Sequence, residues 1–109
     1  MKFLCVCDGG NVRSQALAYT LHELRGHEAV AVGRIRVSKE TLHLFCTWAD
    51  YIVVMQQHMT ESIEEEFLHK TRCVDVGEDR FGVSINPELF QMVQKGADWL
   101  LENLNNGEK

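Results

Sequence analysis

Two stretches of this chain carry almost no polar side chain, Phe3-Leu-Cys-Val6 near the start and Tyr51-Ile-Val-Val-Met55 in the middle. A strand with one wet face alternates polar and apolar residues, whereas a strand covered on both faces does not. Both runs therefore predict buried strands, Lys2–Val6 and Tyr51–Met55. Strands covered on both sides need helices above and below, and the rest of the chain supplies them. Ser14–Arg25 places Ala16, Leu17, Ala18, Leu21 and Leu24 towards a core, with Gly26 as a stop. Ala29–Val32 is a short second strand ended by Gly33. Ser38 is a good N-cap for a helix to about Trp48. Thr60 can cap a helix that carries Glu64-Glu65-Glu66 on a solvated face, and Arg72–Val76 is the fourth strand. Asn86-Pro87-Glu88 opens a last helix with a cap, a proline in the first turn and an acid near the positive end. Leu89, Phe90, Met92, Val93, Ala97, Leu100, Leu101 and Leu104 give that helix a wide apolar stripe.

This alternation predicts an α/β fold, a doubly wound four-stranded parallel sheet with helices on both faces. The 109 residues suit a single domain, with residues 105–109 as a frayed tail. In such folds ligands bind outside the carboxyl ends of the strands. The loops there follow Val6, Gly33, Met55 and Val76.

The first of these loops carries chemistry. In Cys7-Asp8-Gly9-Gly10-Asn11-Val12-Arg13-Ser14 a cysteine stands at the end of a strand and a helix begins at the far side. A loop of this kind turns backbone N–H groups inward, and the helix end adds positive potential. An anion held there faces a thiol that the same field pushes towards the thiolate. Arg13 adds a planar fork that matches two phosphate oxygens. The arrangement suits attack on a phosphoryl group by sulfur, with a phosphate-binding loop after the first strand.

Composition narrows the class. A net charge of −5 offers no footprint for nucleic acid. No segment has the length of a membrane span, and the first residues lack the pattern of a secretory leader. Four cysteines allow two disulfides, but Cys5 and Cys7 stand two apart on a strand, and Cys46 and Cys73 fall in separate core elements. A reduced cytoplasmic protein is expected. Cys5-x-Cys7 has no second ligand pair at finger spacing, so no metal site is expected.

Three stretches, in order along nearly the whole chain, resemble the low-molecular-weight protein tyrosine phosphatases, in particular the short bacterial members. They are Cys7 to Ser14, Trp48-Ala-Asp-Tyr-Ile-Val-Val-Met55 with His58, and Asp75-Val-Gly-Glu-Asp-Arg-Phe81 followed by Asn86-Pro-Glu-Leu89. The resemblance implies hydrolysis of a phosphomonoester through a phosphocysteine, without cofactor or metal. Cys7 is then the nucleophile, Arg13 the phosphate clamp and Ser14 a hydrogen-bond donor to the thiolate. The loop residues Asp8, Gly9, Gly10, Asn11 and Val12 line the anion. An aspartate on the late loop protonates the leaving oxygen. Asp79 is the choice, Glu78 its competitor, Asp75 a structural residue, and Phe81 a flank for an aromatic substrate ring. The expected partner is a phosphorylated protein or a small-molecule phosphate, with no nucleic acid and no membrane; oligomeric state is open.

The chain departs from that pattern in three places. Gly10 stands where the family has asparagine, and Asn11 comes one residue later. The family's serine on the second strand is not evident in Ala29–Gly33. Asp8 sets a carboxylate beside the nucleophile, opposing an anion if it faces inward and harmless if it faces out. Three other functions share parts of the pattern. A cysteine phosphocarrier of the sugar phosphotransferase B-domain type also uses a cysteine loop after its first strand, but Arg13 favours hydrolysis. An arsenate reductase would need relay cysteines, and Cys46 and Cys73 are widely separated. A non-catalytic phosphate-binding protein needs only the cradle. Elsewhere bland roles are expected. Asp50 braces a loop, and Trp48 and Trp99 are core or half-buried packing. His58 lies near a site rim, and Arg34 and Arg36 form an exposed pair or a draw for anions.

Overall fold

The computed structural model describes residues 1–9, 12–78, 80–83 and 86–107, with side chains to 104. Four parallel strands form one sheet in the order β2-β1-β3-β4: β1 Lys2–Cys7, β2 Glu28–Gly33, β3 Tyr51–Val54 and β4 Thr71–Cys73. β1 lies between β2 and β3, with Leu4 opposite both Val30 and Ile52. It is buried from Phe3 to Cys7, as its unbroken apolar run requires.

Helix α1 (Val12–Tyr19) joins β1 to β2, and α2 (Lys39–Trp48) joins β2 to β3. The path moves one way from β1 to β2 and the other way from β2 to β3. Right-handed crossovers then place α1 and α2 on opposite faces. Helix α3 (Pro87–Gly107) packs beside α1. Its buried stripe is Leu89, Val93, Ala97, Leu100 and Leu104. The reversal of direction makes the gap between the carboxyl ends of β1 and β3 the switch point of the sheet.

Four expectations need correction. The first helix is α-helical only to Tyr19, and Thr20–Leu24 continues as a wider π turn before Gly26 ends it at φ +77°. Thr20 supplies a local reason: its Oγ1 donates to Ala16 O at 3.0 Å and competes for a helix carbonyl. The helix expected after Thr60 is two short 3₁₀ turns, Gln57–Ser62 and Glu65–Lys70. Extended backbone at Ile63 and Glu64 separates them and lets Met59, Ile63 and Phe67 reach the core. Glu64, Glu65 and Glu66 are exposed, as a solvated face should be. β4 is shorter than Arg72–Val76; its pairing ends where Val74 N donates to Val54 O at 2.9 Å. Beyond it the Asp75 carboxylate takes the Gly77 N–H and turns the chain. Helix α3 runs through Gly107, into the stretch expected to fray.

Candidate active site

β1 ends on Cys7, and the backbone just after it stays tied to the turn after β2. Arg34 N donates to Cys7 O at 2.8 Å, and Ile35 N to Asp8 O at 3.0 Å. Gly9 lies so close to that turn that a Cβ would meet Ile35 Cδ1 at 3.0 Å. A side chain at this position would need the exposed Ile35 side chain to give by a few tenths of an ångström. Gly10 and Asn11 lie outside the described residues. Val12 opens α1 and packs, partly buried, against the core.

Three side chains converge on the switch point. Cys7 is buried, and its Sγ lies 3.1 Å from Oγ of fully buried Ser14, within hydrogen-bond reach. Arg13 is only 1% exposed, which is unusual for a guanidinium. Nη1 donates to Gln56 Oε1 at 2.5 Å, just past β3, and to Gly77 O at 2.8 Å, past β4. Nη2 lies 3.6 Å from Asp8 Oδ2. Nε is buried with no hydrogen-bond partner among the described residues. A buried donor left unmade costs about 1–3 kcal/mol, more for a charged group. The fork is thus anchored by one nitrogen and presents its Nε–Nη2 edge, the edge that grips a bidentate oxyanion.

Asp8 does not lie free over the cradle. Its Oδ1 accepts from Arg34 Nε at 2.7 Å, and His58 Nε2 stands 3.3 and 3.4 Å from its two oxygens. Partial burial pushes this carboxyl up, but hydrogen bonds from Arg34 and His58, with their charges, hold it below the usual range. Arg34 is itself held, Nη1 donating to Glu61 Oε1 at 2.9 Å and Ser62 Oγ at 2.8 Å. It is therefore no exposed rim cation. His58 does lie beside the loop, as its place after β3 suggested. Sequence reading missed Gln56 and the role of Arg34, because neither residue type carries a motif and both act through the meeting of three loops.

Burial pushes the Cys46 thiol up to about 11, and it pushes Cys5 and Cys73 up as well. No disulfide joins any of the four.

The late loop is only partly as expected. Asp79 lies outside the described residues. Asp75 braces the loop through Gly77 N, the structural role expected of it. Phe81 is 6% exposed, in the core cluster, with the Arg80 guanidinium 4.4 Å from its ring centroid. Its ring is thus a core wedge, with one face covered by Arg80. Asn86 caps α3, its Oδ1 accepting from Glu88 N and Leu89 N. Asp50 accepts from Lys2 N and braces β1. Trp48 packs half-buried, but Trp99 is 54% exposed on the outer face of α3. A cleft of about 1020 Å³ opens between α2 and residues 61–64; Cys7, Arg13 and Ser14 do not line it.

No protein-family model matches the sequence, and no curated protein matches it. Solved structures do match the fold. The arginine phosphatase YwlE from Geobacillus stearothermophilus is 20% identical with a TM-score of 0.65, covering 95% of this chain and 96% of its own. Wzb from Vibrio vulnificus, solved with benzylphosphonate, is 19% identical with a TM-score of 0.70, covering 94% and 97%. SP-PTP, a low molecular weight protein tyrosine phosphatase from Streptococcus pyogenes, is 17% identical with a TM-score of 0.67, covering 93% and 91%. The doubly wound fold implied by the resemblance is the fold found, and over nearly its whole length the chain shares it with these three proteins.

Proposed function

We infer that this protein is a cysteine-dependent phosphomonoester hydrolase acting through a phosphocysteine. The observation that carries the reading is Arg13: a buried guanidinium held by Nη1, with its Nε unpartnered among the described residues, next in sequence to the buried Ser14 that pairs with Cys7 at a strand end. A phosphoryl dianion on the Nε–Nη2 edge would satisfy that buried donor. In the first step the Cys7 thiolate attacks phosphorus in line, the S–P bond forms and the P–O bond to the leaving group breaks. Asp79 gives its proton to that oxygen. In the second step water attacks phosphorus, Asp79 takes the water proton, the S–P bond breaks and inorganic phosphate leaves. Ser14 donates to the thiolate each time it is released. Arg13 and the loop amides supply the charge stabilisation that a phosphoryl transition state needs.

The substrate class is a phosphorylated protein or a small phosphate ester, with phosphotyrosine as the first candidate. YwlE, which shares the fold, is named an arginine phosphatase, so phosphoarginine is tested beside it. No described helix is long and apolar enough to cross a membrane. A reducing compartment, the cytoplasm, suits a working thiolate. The phosphocarrier reading is not favoured, because a clamp that stabilises the transition state also speeds loss of the phosphoryl group to water.

The test is release of phosphate from p-nitrophenyl phosphate by the purified protein in the presence of a metal chelator, with acid quenching during turnover. Release with a phosphorylated Cys7 peptide is expected. No release, or release without label on Cys7, overturns the reading.

A further inference from the structure

Asp8 is the residue of this site that a phosphate-binding cradle would least be expected to hold. Its Oδ2 stands 3.6 Å from Arg13 Nη2, inside ion-pair range but beyond a hydrogen bond. A shift of less than about 1 Å would bring it to hydrogen-bond distance. The carboxylate would then cover the edge of the fork that a phosphate needs. Asp8 is thus an anion built into the chain, next to the nucleophile and aimed at the same guanidinium as the substrate.

What stands against that shift is Arg34. Its Nε bond to Asp8 Oδ1, at 2.7 Å, is the shortest polar contact of this carboxylate among the described residues and is charge-assisted. Arg34 cannot easily follow Asp8 towards Arg13. Its backbone N–H is spent on Cys7 O, and Nη1 is held by Glu61 and Ser62 after β3. His58 flanks both carboxylate oxygens from the same side of the sheet edge. The loops after β1, β2 and β3 thus meet on one carboxylate.

We propose that Arg34 is a positioning residue that holds the Asp8 carboxylate off Arg13, so that Asp8 competes weakly with the substrate phosphoryl group in the intact protein and strongly once this restraint is weakened. The proposal rests on the phosphate-cradle reading above. It makes a phosphoryl substrate's affinity depend on a residue that does not touch the anion.

Phosphate affinity in a double-mutant cycle tests it, with inorganic phosphate titrated calorimetrically into the full chain. Arg34→Gln should weaken phosphate binding about tenfold, a change of ~1.4 kcal/mol. Asp8→Asn should tighten it a few-fold. In the Asp8→Asn background the Arg34→Gln loss should shrink to less than about twofold, because neighbours in one charge network are not additive. In turnover the Arg34→Gln effect should fall on KM, and Arg34→Lys should recover much of it. An equal loss with and without the Asp8 charge, or no loss in either background, overturns the proposal. If Arg34→Gln does not fold, Asp8→Asn decides alone, and unchanged phosphate affinity there overturns it. A protein that turns over through Cys7 but fails the cycle loses only this proposal. One that obeys the cycle and hydrolyses nothing loses only the hydrolase reading.

Discussion

The two regions that meet at Arg13 are built in different ways. The cradle, from the end of β1 into α1, sits inside the core: the Cys7, Arg13 and Ser14 side chains are all buried, and β2 and β3 flank the strand. The late segment from Val74 to Asn86 hangs from the short edge strand β4. Turns and side-chain bonds hold it: Asp75 on Gly77 N, Asn86 on the start of α3, and an exposed Arg80–Glu88 pair. Its described polar contact with the cradle is a carbonyl, Gly77 O on Arg13. Moving a cradle residue means opening a packed core, whereas the polar residues of the late segment, set around the core anchors Val74, Val76 and Phe81, can move by losing bonds worth about a kilocalorie each. Cys7 and Arg13 should therefore be intolerant of change, and the late segment should show graded effects.

The largest effects test the cradle. Cys7→Ser should abolish turnover while phosphate or vanadate still binds, since the substituted hydroxyl keeps the loop but not the nucleophile. Near wild-type hydrolysis by this variant would rule out a phosphocysteine. Arg13→Lys should leave below about a tenth of the activity, because lysine keeps the charge but loses the fork. A tenfold loss is still only ~1.4 kcal/mol, so a smaller one would make Arg13 peripheral. Peroxide or iodoacetamide should mark Cys7 before Cys46 and Cys73, whose thiols burial pushes up. Even labelling across the three would count against an activated thiolate.

The next effect belongs to the late segment. A leaving group of low pKa hardly needs a proton, whereas a poor one does. Asp79→Asn should slow phenyl phosphate by roughly a hundredfold and p-nitrophenyl phosphate by far less, and it should flatten one limb of the pH–rate profile. Glu78→Gln should show little dependence on the leaving group. Reversal of the two moves the acid by one residue. Absence of the effect in both removes the late segment from proton transfer.

The same contrast governs what the sequence could reveal. Phe3–Val6 and Tyr51–Met55 were legible as strands because burial on both faces leaves a one-dimensional mark. The places of Cys7, Arg13 and Ser14 at a strand end and a helix start were legible because the apolar strand and the helix pattern bracket them. Asn86 was legible as a cap. The burial of Phe81 was not legible, since an aromatic in a loop looks the same in sequence whether it faces a ligand or plugs the core. The Thr60 helix was misread because a capping threonine and a solvated acidic run look the same in sequence whether one helix follows or two 3₁₀ turns split by extended backbone at Ile63 and Glu64. Arg34 and Gln56 left no local signal at all. Their partners lie 26 and 43 residues away, and only the strand order brings them together.

The smallest effect probes how the late segment is attached. Gly96 lies on α3, where a Cβ would overlap Cγ1 of Val74. Replacing glycine by alanine inside a helix ordinarily stabilises by about 0.5–1 kcal/mol. Here the added methyl meets a β-branched side chain with little rotamer freedom, at the end of β4, and overpacking of this kind costs about 1–3 kcal/mol. Gly96→Ala should therefore destabilise by roughly 1 kcal/mol, lowering Tm by about 4–8 °C in a chain of this size. Val74 is followed directly by Asp75, which holds Gly77, whose carbonyl anchors Arg13. A displaced Val74 should thus loosen the clamp as well, raising KM a few-fold while the Cys7–Ser14 pair stays intact. A raised Tm would mean that Val74 yields freely and that the helix gain wins. A lowered Tm with unchanged KM would mean that the late segment is coupled to the core but not to Arg13, and the proposed line from α3 to the cradle would break at Gly77.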